Sequence, residues 1–125
     1  MRVLVADDQS DSADHLIAHL SAAGFDTHLA QDTKQIQTQA ALCRPQVCVI
    51  DLAILGVHGW EAVRLIKEES WASQTLFIAV TGWPEPGQRS DPYATFDFYV
   101  RPGEPQEIVR IIRAHFSAAS TLGEP

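Results

Sequence analysis

A chain of 125 residues, 46% hydrophobic and 20% charged, has the make-up of one soluble domain with a real core, which excludes wholesale disorder. Sixteen acids against nine Lys and Arg leave a formal net charge of −7, which argues against nucleic acid as a direct ligand, since phosphate backbones are held by clustered cations. No apolar stretch approaches the roughly 20 residues that cross a bilayer, and Asp7 and Asp8 come too early for a signal peptide, so a cytoplasmic protein without a membrane partner is expected.

The first apolar run, Val3 to Ala6, ends in Asp7-Asp8. Ala13, Leu16, Ile17 and Leu20 then recur at helical spacing, with Ser10 and Ser12 as candidate N-caps and Gly24 placed to end the helix. Phe25 to Ala30 has the mixed polarity of an edge strand. Asp32 and Gln35 resemble a capping box opening a polar helix to about Leu42, with Ile36 and Ala40 inward, and Pro45 forbids its continuation. Val47 to Ile50 is a second apolar run and ends in Asp51. After a loop from Leu52 to Gly59, a helix is expected from Trp60 to about Glu69, burying Ala62, Val63 and Ile66.

The third run, Leu76 to Val80, ends in Thr81. Pro84, Pro86, Gly87 and Pro92 then break the stretch from Gly82 to Thr95, leaving room for a turn or two of helix over 88–93. The fourth run, Phe98 to Val100, ends in Arg101-Pro102. A final helix opens near Pro105, where a missing N–H does no harm, and carries an apolar stripe of Ile108, Val109, Ile112 and Phe116. One domain over 1–118 and a flexible tail over 119–125 are expected. Alternating strands and helices predict an α/β doubly wound parallel sheet of five strands with helices on both faces.

In such a sheet, ligands bind beyond the carboxyl ends of the strands. The four apolar runs would bring Asp7, Asp8, Asp51, Thr81 and Arg101 to that edge. Carboxylates about 4 Å apart repel by roughly 4 kcal/mol at an effective dielectric of 20, so clustered acids call for a neutralising cation. Mg²⁺ suits one or two carboxylates with water and phosphate oxygens completing its shell. A hydroxyl and a permanent cation beside it supply what a phosphoryl group requires. The plainer alternatives are solvated loop acids, a threonine capping the next segment, and an arginine paired with Glu104 or Asp97. Cys43 and Cys48 are too few for a structural zinc site. His15 and His19 lie one helical turn apart, a spacing that fits either a metal chelate or the polar flank of an amphipathic helix.

With Asp7-Asp8, Asp51, Thr81 and Arg101-Pro102 in this order, the chain resembles the receiver domains of response regulators, from two-component phosphorelays. The resemblance runs from Met1 to about Phe116, and Asp51 to Gly59 keeps the family's spacing from phosphoacceptor to glycine. It implies the flavodoxin-like receiver fold. It also implies Asp51 as nucleophile, receiving a phosphoryl group from phosphohistidine on a histidine kinase or phosphotransfer protein. Asp8 and Asp51 would bind Mg²⁺ directly, Asp7 through water, and Ala53 through its carbonyl. Thr81 would hydrogen-bond a phosphoryl oxygen, with Thr81 and Phe98 as the switch pair. The product would be a signalling phosphoacceptor that phosphorylates and dephosphorylates itself, rather than a metabolic enzyme, acting on a downstream protein target and compatible with a homodimer.

The departures are specific. Arg101 stands where the family has lysine, and a planar bidentate guanidinium does not replace a compact ammonium. Ile54-Leu55 replace the usual Met-Pro, Phe98 has no hydroxyl, and the proline-rich stretch replaces much of the fourth helix, which is therefore short or irregular. Ala53 and Trp83 cannot readily orient an attacking water, so slow autodephosphorylation is expected. The alternative is a pseudo-receiver that binds proteins without being phosphorylated. A haloacid dehalogenase phosphatase would need an acid where Ala53 stands, and a flavodoxin a Ser/Thr/Gly-rich loop where Asp7-Asp8 stand.

Overall fold

A computed structural model describes residues 1–54, 56–82 and 96–123, with the side chains of 10, 56–59 and 118–123 left aside. Five strands, β1 (Arg2–Ala6), β2 (Asp26–Ala30), β3 (Val47–Asp51), β4 (Leu76–Val80) and β5 (Phe98–Val100), form one sheet in the order β2-β1-β3-β4-β5. Every neighbouring pair is parallel. The helices are α1 (Ser10–Ala22), α2 (Thr33–Cys43), α3 (Gly56–Lys67) and α4 (Pro105–Gly123), with short 3₁₀ turns at Leu52–Ile54 and Ser70–Ala72. Among the described residues no helix is long and apolar enough to cross a membrane.

The period-two geometry of the strands divides the core. Leu4, Cys48, Ile50, Phe77 and Ala79 face Ile36 and Ala40 of α2 and Val63 and Ile66 of α3. Val3, Val5, Val47, Val49, Leu76 and Ile78 face Leu20 of α1 and Ile108 and Ile112 of α4. Each such aliphatic side chain contributes about 1.5–3 kcal/mol when fully withdrawn from water, which explains why the central strands read as unbroken apolar runs. β2, at the edge of the sheet, is paired on one flank only, and its residues are mostly half-buried.

The ends of the elements follow local chemistry, with three corrections to the sequence reading. Helix α1 is preceded by Gln9 at its N-cap, whose side chain makes no capping bond. Ser12 does not cap either: its hydroxyl donates to the Asp7 carboxylate at 2.6 Å. Gly24, at φ 97°, takes the left-handed turn after α1 as expected. Asp32 accepts the Gln35 N–H at 2.8 Å, but the Gln35 side chain reaches the N–H of Gln31 rather than that of the cap itself. Helix α3 begins at Gly56, a full turn before Trp60, because the 3₁₀ turn after Asp51 already curls the chain. Helix α4 opens at Pro105 and runs to Gly123. The broken fourth helix expected between Gly82 and Thr95 falls on residues 83–95, outside the described residues.

Two side chains lengthen the sheet's bonding. Arg2 donates from Nε to the Cys43 carbonyl at 2.6 Å and from Nη2 to the Arg44 carbonyl at 3.1 Å, closing the end of α2. Arg44 itself is held at φ 45°, a left-handed position that a side chain adopts at a cost. At the other edge, Asp97 donates its N–H to the Phe77 carbonyl at 2.8 Å, and its Oδ2 accepts the Phe77 N–H at 2.9 Å. Only three residues of β5 are needed beyond that clamp.

Candidate functional site at the carboxyl edge of the sheet

Because the strands are parallel and Ala6 pairs with Ile50 and Asp51 with Val80, the residues following β1, ending β3 and following β4 meet at one edge. Backbone bonds carry the ladder into them: the Asp7 N–H donates to Ala30 and the Thr81 N–H to Val100, at 3.0 and 2.9 Å. The side chains at this edge are therefore set by the sheet rather than by loops.

Asp7 is the most enclosed acid, 7% exposed. Its Oδ1 accepts the Gln9 N–H at 2.9 Å, and its Oδ2 accepts the Ser12 hydroxyl at 2.6 Å. Asp8 is exposed. Asp51 is half-buried, and its Oδ1 accepts the Ala53 N–H at 2.9 Å. Burial pushes the Asp51 carboxyl above its ordinary range, and the charges of Asp7 and Asp8 push it further, against the pull of the Ala53 N–H. Thr81 is 4% exposed, whereas Arg101 is exposed.

These residues line two adjoining hollows. The larger, about 340 Å³, has Asp7, Asp51, Ala53 and Arg101 on its wall, over an apolar floor of Val49, Val80 and Ile108. The smaller, about 300 Å³, is walled by Asp51, Leu52, Ala53, Thr81 and Gly82. Asp51, Ala53 and Gly82 belong to both. The three acids do not share one wall: Asp8 lines neither hollow, although its charge acts on Asp51. Phe98 is 39% exposed and packs in neither core cluster, whereas Tyr99 packs with Phe96, their ring centroids 6.1 Å apart.

Ser12, read from sequence as a candidate N-cap, and His15, read as part of a metal chelate or the polar flank of a helix, both line the larger hollow. Their spacing of one α1 turn was the available signal, but the rotational phase of α1 decides which of its polar residues faces the site. The acids at the site, Asp7 and Asp51, offer oxygen donors with excess negative charge, which fits a hard divalent cation. Among the described residues no three His, Cys, Asp or Glu side chains group tightly enough to hold a metal by themselves. The set thus fits an ion that keeps water and takes one or two carboxylates, as Mg²⁺ does.

A parallel sheet ordered 2-1-3-4-5, with acids at the ends of its first and third strands and a buried hydroxyl after the fourth, defines a receiver-type α/β domain. The profile of the response regulator receiver domain matches residues 3–113, and the chain belongs to that family. It is 29% identical over 113 residues to the DNA-binding response regulator MtrA of Mycobacterium tuberculosis, covering 90% of this chain and 49% of MtrA. The chain thus spans about half the length of the curated relatives it matches. Among solved structures, the chemotaxis response regulator CheY4 of Vibrio cholerae superposes with a TM-score of 0.79 at 21% identity, covering 90% of this chain and 96% of that one. The receiver domain of a Pseudomonas aeruginosa sensor histidine kinase, described with a magnesium ion in its active-site cleft, gives a TM-score of 0.75 at 20% identity, over 90% and 94%. These likenesses carry the doubly wound fold.

Proposed function

We propose that the chain is a phosphorylatable receiver of a two-component phosphorelay, in which Asp51 takes a phosphoryl group from a phosphohistidine and the change is read by a protein partner. The observation that carries this reading is the setting of Asp51. It ends β3 between two hollows, half-buried, with one carboxylate oxygen already held by the Ala53 N–H. The other oxygen, Oδ2, is then the attacking atom. Its lone pair forms the new O–P bond while the P–N bond to the histidine breaks and the electron pair returns to the imidazole.

Asp8 and Asp51 would hold Mg²⁺, with Asp7 reaching it through water and Ala53 through its carbonyl. When bound, the ion offsets the charge of the acids and of the phosphoryl oxygens. Thr81, on the wall of the smaller hollow, would donate its hydroxyl to a phosphoryl oxygen. Arg101, on the wall of the larger one, would supply counter-charge from the opposite side of Asp51. Thr81 with Phe98 would form the switch. The donor would be a histidine kinase or phosphotransfer protein, and the output a contact with a further protein.

One observation favours the second reading, a pseudo-receiver that binds proteins without chemistry. Arg101 is exposed and lines the larger of the two hollows, whereas Thr81 lines the smaller, so of these two neither holds both the hydroxyl and the cation. Incubation with acetyl phosphate and Mg²⁺, followed by intact-mass measurement, separates the two. A mass gain of one phosphoryl group, lost in Asp51→Asn, supports the switch. A folded protein that gains nothing, beside a control receiver that does, leaves the binding module.

A further inference from the structure

The Ser12 hydroxyl lies 2.6 Å from Asp7 Oδ2 and 3.2 Å from the Gln9 carbonyl. A hydroxyl has one proton, and the shorter, charge-assisted contact takes it. Asp7 is thereby held at both oxygens, Oδ1 by the Gln9 N–H and Oδ2 by Ser12. At 7% exposure, that carboxylate has little water to replace either donor. Ser12 also lines the hollow that Asp7 and Asp51 line, so its lone pairs lie on the same wall as the acids. We propose that Ser12 is a positioning residue for the cation site: it fixes the plane of the Asp7 carboxylate, so that Asp7 presents the same oxygen to the ion in every copy of the fold.

The inference rests on the receiver reading above and adds a residue which that reading does not use. Ser12 stands on the third position of α1, so the register of that helix sets its reach to the acid. Removal of the hydroxyl frees the carboxylate to turn about its last torsion and leaves one buried oxygen without its donor. Partners of this outer kind typically change metal affinity by about 10–100-fold when removed.

The test is Mg²⁺ titration of the purified chain by calorimetry, with circular dichroism as the control for folding and acetyl phosphate labelling rates as a second readout. Ser12→Ala is expected to weaken Mg²⁺ binding by about tenfold, the lower end of that range, and to label as fast as wild type once Mg²⁺ saturates. Ser12→Thr, which keeps the hydroxyl, restores the affinity. Should alanine unfold α1, Ser12→Cys carries the same comparison with a weaker donor of similar shape. Equal Mg²⁺ affinity of wild type and the folded variant, with only a lower melting temperature, makes Ser12 a plain helix tie and overturns the inference while the receiver reading stands. A wild-type chain that binds no Mg²⁺ overturns both.

Discussion

Asp51→Asn should stabilise the metal-free protein at neutral pH, an unusual direction for a substitution at a buried polar site. In the native state the ionised Asp51 carboxylate is disfavoured by burial and by the charges of Asp7 and Asp8. Each neighbouring charge across a partly solvated site costs about 1 kcal/mol, well below the low-dielectric limit. Asparagine keeps the shape and the acceptor for the Ala53 N–H, although a neutral acceptor gives back about 0.5 kcal/mol of that bond. The balance is a gain of about 1.5 kcal/mol, or roughly 6 °C in Tm for a domain of this size.

The sign with pH follows from the raised native pKa. The native state holds this proton more tightly than the unfolded chain, so its stabilising effect is complete below the unfolded pKa and is lost as pH rises through the native one. The advantage of Asp51→Asn is therefore full near pH 7.5 and gone below about pH 4, the ordinary aspartate range. Added Mg²⁺ should invert the ranking, because about a hundred times its Kd stabilises a binding wild type by about 2.7 kcal/mol and leaves the variant behind. Thermal unfolding in EDTA at both pH values and in Mg²⁺ checks this. A variant less stable than wild type in EDTA at pH 7.5, or a difference that ignores pH, refutes the reasoning.

Three further outcomes are expected. Arg44→Gly relieves the left-handed backbone at φ 45° while keeping the carbonyl that Arg2 bonds, and should raise unfolding free energy by about 0.5–1 kcal/mol in urea titration. Asp97→Ala leaves the buried Phe77 N–H without its acceptor and should destabilise by about 1–3 kcal/mol, measured the same way. Ala53→Asn places an amide beside Asp51 that can orient water, and should shorten the phosphoryl half-life followed by intact mass; an unchanged half-life removes Ala53 from the account of slow hydrolysis.

Much of the fold was legible because the central strands are buried on both faces, so β1, β3 and β4 stand out as continuous apolar runs whose ends are sharp. Parallel pairing then brings Asp7, Asp51 and Thr81 to one edge without further information. The start of α3 was hidden because Gly56, a poor helix former, opens it, and the 3₁₀ turn before it has no sequence mark. In the site, what depended on rotation was lost. Ser12 turned toward Asp7, and Arg101 and Thr81 line different ones of the two hollows that share Asp51. Spacing along a chain fixes which element a residue sits on, whereas its bearing around that element is set by packing.

The closure of α2 by Arg2 bears on how the chain assembles as it is synthesised. The Arg2 side chain needs carbonyls at Cys43 and Arg44, and its backbone N–H needs the side chain of Gln46. Gln46 in turn accepts the N–H of Leu76 through its own carbonyl. Arg2 therefore waits on more than 40 further residues before its side chain can be fastened, and until then β1 has β2 alone for company.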